Sequence, residues 1–241
     1  MTINWLSTAD IQALWLSLRL AAVTVVALMI IALPTAWWLA NSRWRFRALV
    51  EALIAMPLIL PPTVLGFYLL LFLSPGGWAG RLMQFLGGEP LAFTFTGLVI
   101  GSMIYSLPFA VQPLQTAFQG IAKTTLEAAA TLGAAPLDRF FSIALPLARR
   151  GLLSAAVLTF AHTLGEFGVL LMIGGNIPGR TQVASIAIYG HVEAMDYSAA
   201  HGLSITLLLL SFLLLVLVFG ANRQLGLFKN TSAPGKNGRL D

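Results

Sequence analysis

The sequence predicts an all-α, polytopic integral membrane protein with about five transmembrane helices. Of its 241 residues, 58% are hydrophobic and only 10% are charged, whereas soluble domains carry about 25% charged residues. Several apolar runs approach or exceed the ~20 residues that cross a hydrocarbon core. The alternating short segments of a membrane β-barrel are absent. These three observations favour a bundle of helices in a lipid bilayer.

The apolar runs define the spans of a single transmembrane domain, residues 1–241. The first run is interpreted as an uncleaved span, because the residues before it lack the basic region of a signal peptide. A short helix is expected near residues 181–190, outside the spans. The predicted spans are residues 14–39, 49–73, 95–118, 151–173 and 202–221.

Lysine and arginine are distributed unequally between the two sides of these spans. Three lie on one side, at Arg19, Arg81 and Arg180, and eleven lie on the other. Because positive residues concentrate in the cytoplasm, the loop 119–150 and the tail 222–241 are predicted to be cytoplasmic, with the N-terminus outside. The net charge of +5 is then explained by the membrane topology and by contact with anionic lipid, and it does not indicate nucleic-acid binding. The eleven are Arg43, Arg45, Arg47, Lys123, Arg139, Arg149, Arg150, Arg223, Lys229, Lys236 and Arg239.

Several kinds of chemistry have no motif in this chain. There is no cysteine, and therefore no disulfide framework and no thiolate site. No phosphate-binding loop, dinucleotide fingerprint or hydrolase motif occurs. The chain itself is predicted to bind no cofactor, so uphill transport would need a partner protein or an ion gradient.

Residues 123–146 are the long polar interruption of the chain, and they predict a helix, a kink and a second helix. Thr124 and Glu127 have the spacing of a capping box. Gly133 suits a helix C-terminus that needs a left-handed residue. Pro136 suits the first turn of the second helix, and Pro146 is expected to end it. Neither helix is long enough to cross a bilayer.

The second span contains Pro57, Pro61 and Pro62. Proline removes backbone hydrogen bonds, which is tolerated at membrane depth only where protein or a cavity covers the gap. Two interpretations stay open, a packed kink and a broken helix beside a transport path.

The fourth span contains His162 and Glu166, which share a helix face. An ionisable residue at membrane depth is a candidate functional residue. The alternatives are a metal or catalytic pair, a structural hydrogen bond from Glu166, and a place on a translocation path or its gate. Gly165 and Gly168 are expected to let another helix approach closely.

The segment after the fourth span, with Asn176, Pro178 and Gly179, predicts a turn. It is either a plain loop or a docking surface for an extracytoplasmic partner.

The segment 127–146 resembles the signature of ABC-importer permease subunits. That signature is Glu-Ala-Ala, three residues, Gly, nine residues and Ile-x-Leu-Pro. Here Glu127, Ala128 and Ala129, then Gly133, then Ile143, Leu145 and Pro146 match it with full spacing. The resemblance implies that residues 119–150 form a coupling loop that contacts a cytoplasmic ATPase.

The second span and the 165–179 region are similar to those of molybdate permeases. The residues are Pro57 to Gly66, Gly165 to Gly168, and Gly175 to Gly179, the last two groups being shared with sulfate permeases. The resemblance implies a homodimer in the bacterial inner membrane with two ATPase subunits, which bind ATP and magnesium. It also implies a periplasmic or lipid-anchored molybdate-binding protein.

Four functions therefore remain open for this chain. The first is a permease for molybdate or tungstate, and the second is a permease for sulfate or thiosulfate. The third is a stand-alone channel or secondary carrier. The fourth is a membrane enzyme built on His162 and Glu166.

Overall fold

A computed structural model describes residues 6–224, and all regular structure within that range is helical. The predicted tail beyond residue 224 lies outside the described residues. The helices are α1 (Thr8–Asn41), α2 (Arg47–Ile59), α3 (Pro62–Leu73), α4 (Trp78–Phe85), α5 (Phe95–Gln119), α6 (Lys123–Thr131), α7 (Pro136–Asp138), a π-helical segment (Arg139–Ala144), α8 (Leu145–Leu147), α9 (Arg149–Gly165), α10 (Gly168–Gly174), α11 (Ala184–Glu193) and α12 (Tyr197–Gln224).

The first helix starts six residues before the predicted span, at Thr8 rather than residue 14. Ser7 and Asp10 form a capping box, in which each side chain accepts from the other residue's backbone N–H. The carboxylate of Asp10 is also 2.7 Å from Nε2 of His191 on α11. This pair ties the start of α1 to the helix that follows the fourth predicted span.

Two predicted spans are interrupted, not continuous. The second is divided into α2 and α3 by an extended residue, Leu60. The fourth is divided into α9 and α10 by Glu166, which is also extended, and Phe167. The prolines of the second span therefore lie at a broken helix, and its place beside a transport path stays a prediction, whereas the break at Glu166 was not predicted.

Four described helical segments are long and apolar enough to cross a membrane. A fifth crossing results if Pro136–Leu147 and Arg149–Gly165, which meet at an angle of 72°, count as one span. The second of the four segments, Pro62–Phe85, includes only the later half of the predicted span 49–73. The four are Thr8–Asn41, Pro62–Phe85, Phe95–Gln119 and Tyr197–Leu217.

Helix α5 is the centre of the bundle, because it packs against α1, α2, α9 and α10. Leu114 and Phe118 near its end lie in a buried cluster with Leu39 of α1. Leu98 near its start lies in a second cluster with Ile173 of α10. Helix α5 therefore contacts both the region that carries residues 119–150 and helix α10, which begins at the second break.

Candidate functional site

The two helix breaks face each other across one cleft of about 620 Å³. Helices α3 and α10, which begin at the two breaks, pack together. A Cβ atom added to Gly168 would lie 2.8 Å from Cβ of Pro62, so the contact requires glycine. The cleft is lined by Pro62, Thr63, Tyr105, Ala161, His162, Gly165, Glu166, Phe167 and Gly168.

Glu166 is the acidic residue of the cleft, and its side chain is buried. Neither carboxylate oxygen has a hydrogen-bond partner within the described chain, although the hydroxyl of Ser102 on α5 is its polar neighbour. A structural hydrogen bond from the carboxylate would be made to Ser102 on α5, and this alternative stays a prediction. The backbone carbonyl of Glu166, freed by the break, instead accepts from Oγ of Ser185 at 2.6 Å.

His162 has a different set of neighbours from Glu166. Its Nδ1 lies 2.9 Å from Oγ of Ser106. Its ring stacks on Phe109 at 4.1 Å and lies 4.7 Å from the ring of Tyr105. Its polar and aromatic contacts lie on α5, so the imidazole fixes α9 against α5. These contacts do not support a catalytic pair between His162 and Glu166.

The predicted path residues are only partly brought together. Pro62, Gly165, Glu166 and Gly168 line the cleft, whereas Pro57 is buried inside α2 and Pro61 precedes α3. The expected close helix approach is present at Gly168. It is wrong for Gly165 within residues 6–224, since a Cβ atom there would meet nothing within 4 Å.

Three further cleft residues were not predicted as path residues, although Thr63 and Phe167 lie in the segments that carry the family resemblance. Thr63 and Tyr105 supply hydroxyl groups, and Phe167 supplies a ring. Gly66 was also passed over as a packing residue, although a Cβ atom there would lie 2.8 Å from Cβ of Met172. The signal for Gly66 was present, because it lies one helical turn after Pro62 on the side that meets α10.

The coupling loop begins with α6, whose start differs from the prediction. Helix α6 starts at Lys123 and its N-terminus has no side-chain cap. Thr124 therefore falls inside the first turn, where its hydroxyl is too late in the helix to act as the N-cap. The predicted capping box of Thr124 and Glu127 is not formed.

The end of α6 has the predicted left-handed glycine, since Gly133 has φ of 88°. The N–H of Gly133 donates to the carbonyl of Ala130 at 3.0 Å, and the N–H of Ala134 donates to that of Ala129 at 3.0 Å. This is the Schellman pattern of helix termination. It turns the chain towards α7, which starts at Pro136 as predicted.

The second helical piece runs past Pro146, so the prediction that this proline ends it is wrong. Residues 139–144 form a π-helical segment, and α8 continues to Leu147. Proline lacks a backbone donor and is compatible with a first helical turn, which is its position in α8. The chain bends instead at Ala148, before α9.

The signature residues of the coupling loop lie largely on its surface. Thr124, Glu127, Ala128, Gly133 and Pro146 are exposed, and Ala129 and Leu145 are half-buried.

Three large apolar side chains beside them are exposed as well and were not predicted. Leu132 is 89% exposed, Leu137 72% and Phe141 60%. Exposed apolar clusters rimmed by polar residues mark interaction sites.

The opposite side of the coupling loop is anchored in the bundle. The ring of Phe140 lies 5.4 Å from that of Trp37 on α1 and 6.0 Å from that of Phe118 on α5. Ala144 and Ala148 are buried in the same cluster. This side of the loop is therefore packed against α1 and α5.

The residues Asn176, Pro178 and Gly179 form an exposed turn, as predicted. Gly179 has φ of 71°, and Gln182 donates to the side chain of Asn176 at 2.7 Å. The geometry fits either a plain loop or a docking surface.

The overall fold is that of ABC-transporter membrane subunits. A bacterial alginate ABC transporter in complex with an alginate pentasaccharide-bound periplasmic protein matches with a TM-score of 0.75. The match covers 91% of this chain and 80% of that chain, at 16% identity. The MetNI methionine ABC transporter, in inward-facing conformations, matches with a TM-score of 0.70. This match covers 89% of this chain and 94% of that chain, at 17% identity. At these identities the likeness shows the fold alone.

Sequence relatives are closer. The molybdenum transport system permease protein ModB of Azotobacter vinelandii is 53% identical over 90% of this chain and 96% of its own length. ModB of Escherichia coli K12 is 33% identical over 78% of this chain and 82% of its own length. A probable sulfate transport system permease protein of Zygnema circumcarinatum is 32% identical over 82% of this chain and 68% of its own length.

Residues 32–226 match a family described as binding-protein-dependent transport system inner membrane component. This range includes both breaks and the whole coupling loop, and it confirms the resemblance drawn from the 127–146 signature. Members of the family are transport components, so the chain is not itself an enzyme. The chain therefore belongs to the family of binding-protein-dependent transport system inner membrane components, as a multi-pass membrane subunit.

Proposed function

We propose that the chain is the membrane-spanning subunit of an ATP-driven importer of molybdate or tungstate. The observation that carries this proposal is the similarity to a molybdenum permease over nearly the full length of both chains. The sulfate permeases that match are less similar. The chain works as a homodimer with two ATPase subunits and an external molybdate-binding protein.

The cleft at the two breaks is the translocation path or its gate. The N-terminus of α3 opens onto it at Pro62 and Thr63, and a helix N-terminus carries a positive partial charge that favours an anion. Thr63 and Tyr105 add hydroxyl donors. A charged Glu166 would repel an anion, so it acts in gating rather than as a ligand.

The coupling loop is the contact for the ATPase. Glu127 and Ala128 are exposed beside Leu132, Leu137 and Phe141, which together offer a mixed polar and apolar docking surface. Closure of the ATPase dimer moves the loop. The contacts of Phe140 with α1 and α5 carry that movement to the breaks.

The excess of positive residues on one side supports a cytoplasmic coupling loop and an external N-terminus. In that orientation the exposed turn with Asn176, Pro178 and Gly179 faces the external binding protein. It lies directly after α10, so docking there is positioned to act on the second break.

The substrate is tested by uptake into vesicles that contain the complete complex, ATP and the binding protein. We expect excess tungstate to abolish molybdate uptake. Sulfate at the same concentration as the tungstate is expected to leave molybdate uptake nearly unchanged. Inhibition by sulfate as strong as that by unlabelled molybdate would overturn the molybdate assignment in favour of a sulfate permease.

A further inference from the structure

A second cavity lies between the end of α1, the α1–α2 connection and the coupling loop. Its volume is about 510 Å³. Four cationic side chains line it, with Glu127 as its acidic residue. The cations come from three segments of the chain, and they are Arg43, Arg47, Lys123 and Arg139.

Most of this positive charge is not neutralised by the chain. Arg47 donates to Glu51 at 2.8 Å. The side chains of Arg43, Lys123 and Arg139 make no ion pair or hydrogen bond to any residue between 6 and 224. Nε of Arg139 is buried without a partner. A buried donor without an acceptor is destabilising, so an anionic acceptor in the cavity would satisfy Arg139.

The surroundings of the cavity indicate where that acceptor comes from. Trp38, Trp44 and Phe46 are neighbours in the chain of the lining residues Trp37, Arg43 and Arg47, and they are 42%, 51% and 47% exposed. Their rings form a chain of contacts at 6.0 and 5.3 Å. Exposed tryptophan at the end of a membrane helix marks the headgroup level of the bilayer. The cavity therefore opens where lipid phosphates lie.

We propose that this cavity binds the phosphate group of an anionic phospholipid in the leaflet that faces the coupling loop. Arginine side chains hold phosphate through paired hydrogen bonds, and basic pockets at the cytoplasmic ends of membrane helices suit lipid headgroups. The bound phosphate joins Arg43 at the end of α1 to Lys123 and Arg139 on the coupling loop. It thereby fixes the loop for its contact with the ATPase. The inference rests on the orientation and coupling role proposed above.

The test compares the complete complex in nanodiscs of phosphatidylcholine with and without phosphatidylglycerol. Lipid retention is measured by native mass spectrometry, alongside ATP hydrolysis. For the wild type we expect retained phosphatidylglycerol and ATP hydrolysis raised at least about fivefold, the lower end of typical coupling between sites. In the variant Arg43→Gln with Arg139→Gln both effects are lost. Arg81→Gln on α4 is the matched control and keeps both.

Other outcomes overturn the proposal. Equal lipid retention by the wild type and the double variant removes the lipid site. Full activation by inorganic phosphate in phosphatidylcholine alone assigns the cavity to a free anion. Loss of the ATPase from the double variant in every lipid assigns it to acidic side chains of that subunit.

Two further measurements keep the test decisive. If the double variant does not fold, Lys123→Gln, an exposed change on α6, is expected to lower lipid retention in its place. Lipid retention does not depend on the transported substrate. A complex that retains lipid but moves no molybdate would contradict the proposed function and leave the lipid site intact.

Discussion

Leu132→Asp is expected to release the ATPase subunit from the complex while the membrane subunit stays folded. Leu132 is 89% exposed, and surface changes alter stability by only about 0.5 kcal/mol. At a docking surface, loss of a central apolar contact costs about 2 kcal/mol or more, which is roughly 30-fold in Kd. The measurement is co-purification and titration of the ATPase against the detergent-solubilised chain.

The matched control is Leu86→Asp, the same change at a 68% exposed leucine after α4. It lies at the other end of the bundle and should leave ATPase binding as it is in the wild type. Undiminished binding by the Leu132 variant would show that the exposed face of the coupling loop is not the contact.

Gly168→Val is expected to stop transport without releasing the ATPase. A Cβ atom at residue 168 would lie 2.8 Å from Cβ of Pro62, and the proline ring cannot rotate away. Helices α3 and α10 must then separate at the two breaks. Overpacking of this kind lowers the free energy of unfolding by about 1–3 kcal/mol. Thermal unfolding and vesicle uptake measure the two effects.

Gly220→Val makes the same change on α12, where a Cβ atom would meet nothing within 4 Å. We expect normal uptake and an unchanged unfolding temperature for this control. If Gly168→Val transports as well as the control, close packing of the two breaks is not needed for the path.

Local chemistry predicted the features that a single residue determines. Pro61 and Pro62 predicted either a kink or a break in the second span, because proline removes backbone donors, and the structure has the break. Gly133 predicted the end of α6, because only glycine takes a left-handed conformation at little cost in free energy. The motif around these residues was enough to identify the coupling loop and the family.

Features that depend on distant partners were not predictable in this way. The break at Glu166 contains no proline, and its freed carbonyl is satisfied by Ser185, a residue on α11. The capping box expected at Thr124 is not formed, because α6 starts two residues earlier than predicted, and the capping box that was not predicted is that of Ser7 on α1. The exposure of Leu132 could not be predicted, because the sequence alone does not distinguish this leucine from the many leucines that face lipid.

On the proposed mechanism, this chain moves its substrate only when a partner's ATP hydrolysis acts on the coupling loop. The decisive measurement is molybdate flux into vesicles that contain either the chain alone or the complete complex. We predict accumulation against a gradient by the complete complex with ATP, and no flux through the chain alone. Equal flux through the chain alone, without ATP, would rule out this mechanism and make the protein a channel or secondary carrier.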